Sequence, residues 1–140
     1  MLSFERFKIL HSEIIMYCQL IENDLKWIYA YMHKGDEDDN YDKLEKTTLG
    51  TLVKKLKELD NSDNDLLISN DDYNFLKQMT EKRNFWCHQN FVEFMYEDNF
   101  LYSREYEKIC LKLEKDHDRL SSVCDNVEKV KFKAIRAYSR

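Results

Sequence analysis

Proline is absent from this sequence, and glycine occurs only twice, at Gly35 and Gly50. Both residues punctuate a chain: proline removes a backbone donor and breaks helices, and glycine supplies turn geometries that other residues resist. Their scarcity excludes a fold of many hairpins and favours long helices joined by polar loops. No apolar run reaches the roughly 20 residues that carry a helix across a bilayer. The opening stretch MLSFERFKIL sets charges among its first residues, so it does not read as an export signal. No Cys-x-x-Cys pair occurs among Cys18, Cys87, Cys110 and Cys124, which argues against a structural zinc site. Without an export signal, the simplest setting is a reduced cytoplasm, where these cysteines serve as small buried hydrophobes.

A general excess of positive charge is missing too. The net charge is −5, which makes a poor non-specific nucleic-acid binder. The charge is uneven, however. Residues 35–75 hold 12 acids against 5 bases, and residues 105–140 hold 9 bases against 7 acids. Near the end, Lys129, Lys131, Lys133, Arg136 and Arg140 follow one another with no acid between them. This basic run is a candidate phosphate contact. A solvated helix end, whose cations suit the C-terminal dipole, explains it equally well.

What is present in quantity is helical periodicity. Across 140 residues, 43% of them hydrophobic, there is enough apolar mass for one domain spanning 1–140 with a single core. Phe7, Leu10, Ile14, Cys18, Ile21, Leu25, Ile28 and Met32 recur in steps of three and four, predicting one amphipathic helix over roughly 3–33. Gly35 suggests its stop, and GDEDDNYDKLEK reads as an acidic, mobile connector. Leu49 to Leu59 predict a short helix capped by Thr47 or Thr48 and ended by DNSDND. Ser69, Asn70 or Asp71 caps a further helix over about 71–95, with Leu76, Met79, Arg83, Trp86, Cys87, Asn90 and Phe94 along its stripe. YEDN forms a turn. Tyr106 to Ile135 give a last helical segment, either continuous or broken near Ser121–Asn126. The expected fold is all-α, a four- to five-helix antiparallel bundle.

The chemistry concentrates in TEKRNFWCHQNF, Thr80–Phe91. Arg83 and Asn90 fall in the middle of a face that is otherwise apolar, and Asn84 and His88 share the neighbouring face, four residues apart. An arginine cannot shed its charge, so on an apolar face it needs an anion or water. One reading is structural: Arg83 pairs with an acid such as Glu22, at the edge of the first helix's stripe. The other is a phosphate site. A planar guanidinium matches phosphate oxygens, an imidazole moves protons near neutral pH, and an amide orients either. Together they suit metal-free RNA cleavage, in which the ribose 2′-hydroxyl is deprotonated and attacks the adjacent phosphorus while the cation stabilises the transition state. Five residues on a regular helix turn Arg83 and His88 about 140° apart. Arginine's reach, a helix distortion or a second copy of the motif must therefore bring the two together, and a two-fold dimer along this helix would do so.

RNFWCH resembles the Arg-Asn-x-x-x-His signature of the HEPN superfamily, the higher eukaryotes and prokaryotes nucleotide-binding domain. The resemblance implies a helical bundle of similar length. It also implies a metal-independent endoribonuclease of a defence or toxin-type system, with a composite site built by a homodimer and with Arg83, Asn84 and His88 as catalytic residues. No cofactor is implied. RNA or a nucleotide would be the ligand, with an antitoxin or regulatory protein as a further partner and no membrane. Glu22 becomes a supporting residue, and Lys129, Lys131, Lys133 and Arg136 become nucleic-acid contacts. Arg6 and His11 repeat the looser Arg-x4-His spacing, so the asparagine and the helical context carry the resemblance. One toxin branch continues His-x-Tyr, whereas this chain places Asn90 there. The competing function is a non-catalytic helical interaction module that uses the same cluster structurally. His117, between Asp116 and Asp118, reads as a core-edge histidine rather than a metal ligand. Cys87 and His88 are helix neighbours that do not face each other, and Trp27 lies off its helix's stripe as a possible interface mark.

Overall fold

A helix needs an apolar stripe to bury and a residue to start it, and the first helix has both. In the computed structural model, which describes residues 1–62 and 67–139, α1 spans Phe4–Met32. Ser3 caps it by accepting a hydrogen bond from the Arg6 backbone N–H. Its buried residues are the stripe read from the sequence, from Phe7 through Met32, with Asp24 and Ala30 added. The segment ahead of the next long helix is less of a free connector than its composition suggests. Gly35 adopts φ +112°, a left-handed turn that suits glycine. The chain then forms α2, Glu37–Asp42, capped by Asp36. Asn40 is buried and donates to the backbone carbonyls of Ala30 and His33, while Tyr41 stacks on Trp27 at 4.2 Å. Trp27 is thereby half-buried as the seat of α2.

Thr48 caps α3, Leu49–Asn61. The second half of DNSDND lies outside the described residues, as does Arg140. Asp60, at the end of α3, is buried and acts as a hub. Its carboxylate accepts from the Leu67 and Ile68 N–H groups and from the Tyr73 hydroxyl at 2.7 Å. Burial and that hydrogen bond push the Tyr73 phenol well above its ordinary pKa. This hub ties α3 to α4, Asn70–His88, which Ser69 caps.

α4 stops at His88, short of the expected end near 95. Gln89 leaves the helical region with φ −129°, and a 3-10 helix follows at Asn90–Glu93. The cause is local: the Asn90 side-chain amide donates to the Trp86 carbonyl at 2.6 Å, supplying the bond that its backbone N–H would otherwise make. Residues 94–102 then fold under the bundle. Phe94 packs against Phe7 at 5.3 Å and Tyr106 at 5.1 Å between ring centroids. Each such aromatic pair contributes about 0.5–1.5 kcal/mol beyond the area it buries. Asn99 takes φ 50° in the turn before a second 3-10 helix, Phe100–Tyr102.

α5 is one unbroken helix, Arg104–Tyr138, with no interruption near Ser121–Asn126. It packs most extensively on α1. Tyr106 bonds Leu2, His117 lies 3.2 Å from Glu13, and Lys131 lies 3.0 Å from Asp24, so the two helices run in the same direction. Against α4 the order inverts, with Asp72 meeting Asn126, Lys82 meeting Asp116 and Phe85 meeting Lys112. The result is an all-helical bundle with one core shared by α1, α3, α4 and α5. No helix among the described residues is long and apolar enough to cross a membrane.

Candidate functional site

The C-terminal two turns of α4 carry two polar constellations on different faces. The outer one is the motif. Arg83 leaves the helix toward α1 and places Nη1 3.0 Å from Glu22 Oε2, with 31% and 26% of the two side chains exposed. Arg83 therefore sits at the edge of the apolar face rather than in its middle. Tyr73, Phe75, Leu76, Met79 and Trp86 make the buried face of α4. One oxygen contact leaves most of the guanidinium's five N–H donors uncommitted to Glu22. Asn84 and His88 are exposed, and among the described residues no hydrogen bond or ion pair holds either side chain. Because α4 stays regular through His88, no helix distortion turns its imidazole toward Arg83. Within one chain the fold brings Arg83 to Glu22 and leaves His88 facing elsewhere.

Cys18 lies beneath the Arg83–Glu22 pair. Burial pushes its thiol up to about 12, and the neighbouring Cys87 and Glu22 push in the same direction against the pull of Arg83. A thiol held so firmly protonated is no nucleophile near neutral pH. Cys110 and Cys124 are buried as expected, but Cys87 is exposed. It lies on the α1-facing margin of α4, where the packing does not close over it.

The reading of the sequence missed the inner constellation. Asp116 of α5 is 3% exposed. It accepts from the Trp86 indole N–H at 2.9 Å and from Lys82 at 3.1 Å. On the other side of Trp86, His11 Nε2 and Asn90 Nδ2 both approach the Trp86 carbonyl at 2.6 Å. A carbonyl only accepts, so His11 carries its proton on Nε2. The 3.3 Å separation of Asn90 Nδ2 and His11 Nε2 is then two donors side by side rather than a bond between them. Asn90 Oδ1 is buried with no hydrogen-bond partner. One sequence signal pointed here: Asp116 falls between Leu113 and Leu120 on the core stripe of α5, where an acid requires a donor.

The basic candidates divide. Lys129, Lys133 and Arg136 are exposed, whereas Lys131 is turned inward to Asp24 and holds α5 to α1. His117 sits at the α1–α5 seam, against Glu13 and the Tyr17 ring. Among the described residues, no group of three His, Cys, Asp or Glu side chains could hold a metal ion. No family model, curated protein or solved structure matches the chain.

Proposed function

We propose that the chain is a HEPN-like domain that binds RNA and cleaves it without a metal, as a homodimer, in a defence or toxin-type role. The observation that carries this reading is the exposure of Asn84 and His88 beside a guanidinium still one-third open to water. Their polar atoms are left free for a ligand, whereas those of Asp60 and Asp116 are committed to the fold.

In this mechanism, His88 of one copy takes the 2′-hydroxyl proton or returns a proton to the leaving 5′-oxygen. Attack on phosphorus leaves a 2′,3′-cyclic phosphate on one product and a 5′-hydroxyl on the other. Arg83, released from or shared with Glu22, neutralises the phosphorane. Asn84 orients the pair. Because the two side chains diverge in one chain, the reading requires a second copy placed along α4.

The test is labelled RNA in EDTA with wild type, His88→Ala and Arg83→Ala. Cleavage by wild type alone, with cyclic-phosphate ends, is expected. Sedimentation should show a dimer, and a strict monomer at micromolar concentration would remove the geometry this reading needs. The second reading, a non-catalytic interaction module, draws on the Arg83–Glu22 pair as a structural tie between α4 and α1. It gains if all three proteins are inert and Arg83→Ala melts several degrees lower.

A further inference from the structure

α5 keeps its charges apart. Turning by 100° per residue, Arg104, Lys108, Lys112, Lys115 and Arg119 fall within about 80° of one another, and no acid of α5 lies inside that arc. Glu105 and Asp116 lie past one edge. Asp118, with Glu107, Glu114 and Asp125, lies past the other. Each of the five has an acid three or four residues away, Glu107, Glu105, Asp116, Asp118 and Asp116 in turn, so acids flank the cations on both sides while the cations themselves line up as one ridge.

The ridge borders a groove of about 580 Å³ between α4 and α5, lined by Gln78 and Lys82 on one side and by Lys115, Arg119 and Ser122 on the other. Two acids also line it: Asp116, engaged by Lys82 at 3.1 Å, and Asp118, which stands exposed at the rim, while Asp72 nearby takes Arg119 at 3.5 Å. Arg104, Lys108 and Lys115 are exposed and make no ion pair among the described residues. Aromatic rings lie beneath the cations. Phe75 sits under Arg119 at 5.1 Å, and Phe85 sits under Lys112 at 3.5 Å. Phe85 follows Asn84 directly and precedes His88 by less than a turn, so the ridge reaches the motif. Beyond Arg119 the same arc continues through neutral Ser122 and Asn126. The next cation, Lys129, comes only after about 15 Å of helix.

We infer that the α4–α5 groove and the Arg104–Arg119 ridge form the track along which a single-stranded phosphodiester backbone runs to and from the motif. The proposal rests on RNA as the substrate and shifts the principal contacts away from the C-terminal lysines. Cations three or four residues apart rise by about 4.5–6 Å along the helix, so successive phosphates of an extended strand can each meet one. A positively charged groove that tracks the backbone is the sequence-independent part of how proteins hold single strands. An acidic protein surface is the other polyanion the ridge could receive, and the test separates the two.

The measurement is fluorescence anisotropy of a labelled single-stranded RNA in EDTA, titrated against salt, with every protein carrying His88→Ala so that binding is read without cleavage. Combining Lys108→Gln, Lys112→Gln and Lys115→Gln should weaken binding at least about tenfold at low salt. The same triple should reduce the slope of log affinity against log salt by about 2, since each lost single-strand contact removes about 0.7. The matching triple of Lys→Arg should keep both quantities, which separates lost charge from lost fold. Lys129→Gln with Lys133→Gln should stay within about twofold. No binding to RNA at low salt overturns the track. So does equal loss from both sets of lysines, or displacement of RNA by poly-glutamate as effective as by unlabelled RNA. Wild type that binds through the ridge but cuts nothing overturns the nuclease reading and leaves the track intact. With His88 restored, cleavage undiminished by the Gln triple overturns the track alone.

Discussion

The inner and outer faces of α4 hold comparable chemistry and treat it oppositely. Inside, Asp116 joins the Trp86 indole and Lys82, and the Trp86 carbonyl gathers two donors. Outside, Asn84 and His88 face solvent, and Arg83 makes a single half-exposed contact with Glu22. The inner groups are what the bundle needs to dock α4 on α5 and α1. The outer groups are ones the bundle can spare. If that division is right, stability and activity separate along α4: substitutions inside unfold the protein, and substitutions outside leave it folded.

The largest effect should come from Asp116→Ala. It strands a buried indole donor and removes the partner of a half-buried ammonium, a loss of about 3–5 kcal/mol by the cost of breaking buried charged contacts. A thermal melt should show a drop of roughly 10 °C or more for a chain of this size. A drop under about 2 °C would mean that the inner constellation is as dispensable as the outer one.

The next effect probes the boundary between the two faces, at Cys18. Its thiol is held protonated up to about 12, against an ordinary value of 9.0. A raised pKa in the folded state adds stability that is complete below pH 9 and drains away as the pH climbs toward 12. The full loss has a ceiling of about 4 kcal/mol, three units at about 1.4 kcal/mol each. Burial also raises the Tyr73 and Tyr106 phenols, and these add their own losses at higher pH. Burial raises the Cys124 thiol from the same ordinary value, so between pH 9 and 10 the two thiols lose stability together, and in denaturant titrations the difference between wild type and Cys18→Val isolates Cys18. Wild type should lose stability there, and Cys18→Val should lose less. Equal slopes would show that the space beneath Arg83 and Glu22 is wet, which would join the two faces rather than divide them.

The same contrast explains which features could be read in advance. Long periodic patterns repeat their message over many turns, so α1 and the span of α5 followed from residues such as Ile14, Ile21 and Ile28 in one and Leu113 and Leu120 in the other. A cap is a local event, and Thr48 was among the residues named for α3. Features that hang on one particular side-chain partner were missed. α4 ends where it does because one amide, on Asn90, reaches back to Trp86. The acidic connector is ordered because Asn40 finds the carbonyls at the end of α1 and Tyr41 finds Trp27. Asp116 lies 30 residues from Trp86, a pairing no local pattern encodes. Among the site residues, the contact of Arg83 with Glu22 was foreseen because an arginine on an apolar face needs an anion and Glu22 sat at the margin of the first helix's stripe. The separation of His88 from Arg83 followed from helical geometry alone.

Smaller effects are expected from the outer face, and their smallness is the point. Arg83→Ala and Glu22→Ala should each cost less than about 1 kcal/mol, because both partners are about a quarter to a third exposed and water screens the pair. In a double-mutant cycle the coupling should be about 0.2–1 kcal/mol. His88→Ala should fall within about 0.5 kcal/mol of wild type, since nothing in the bundle leans on the ring. A guanidinium that costs so little to remove is not held in place for folding, and an imidazole that costs nothing is not held for folding at all. If the cycle instead gives a coupling above about 2 kcal/mol, Arg83 and Glu22 are a tie as firm as Asp116 and Lys82. The outer face would then be structural like the inner one, and only Asn84 and His88 would remain to carry any chemistry.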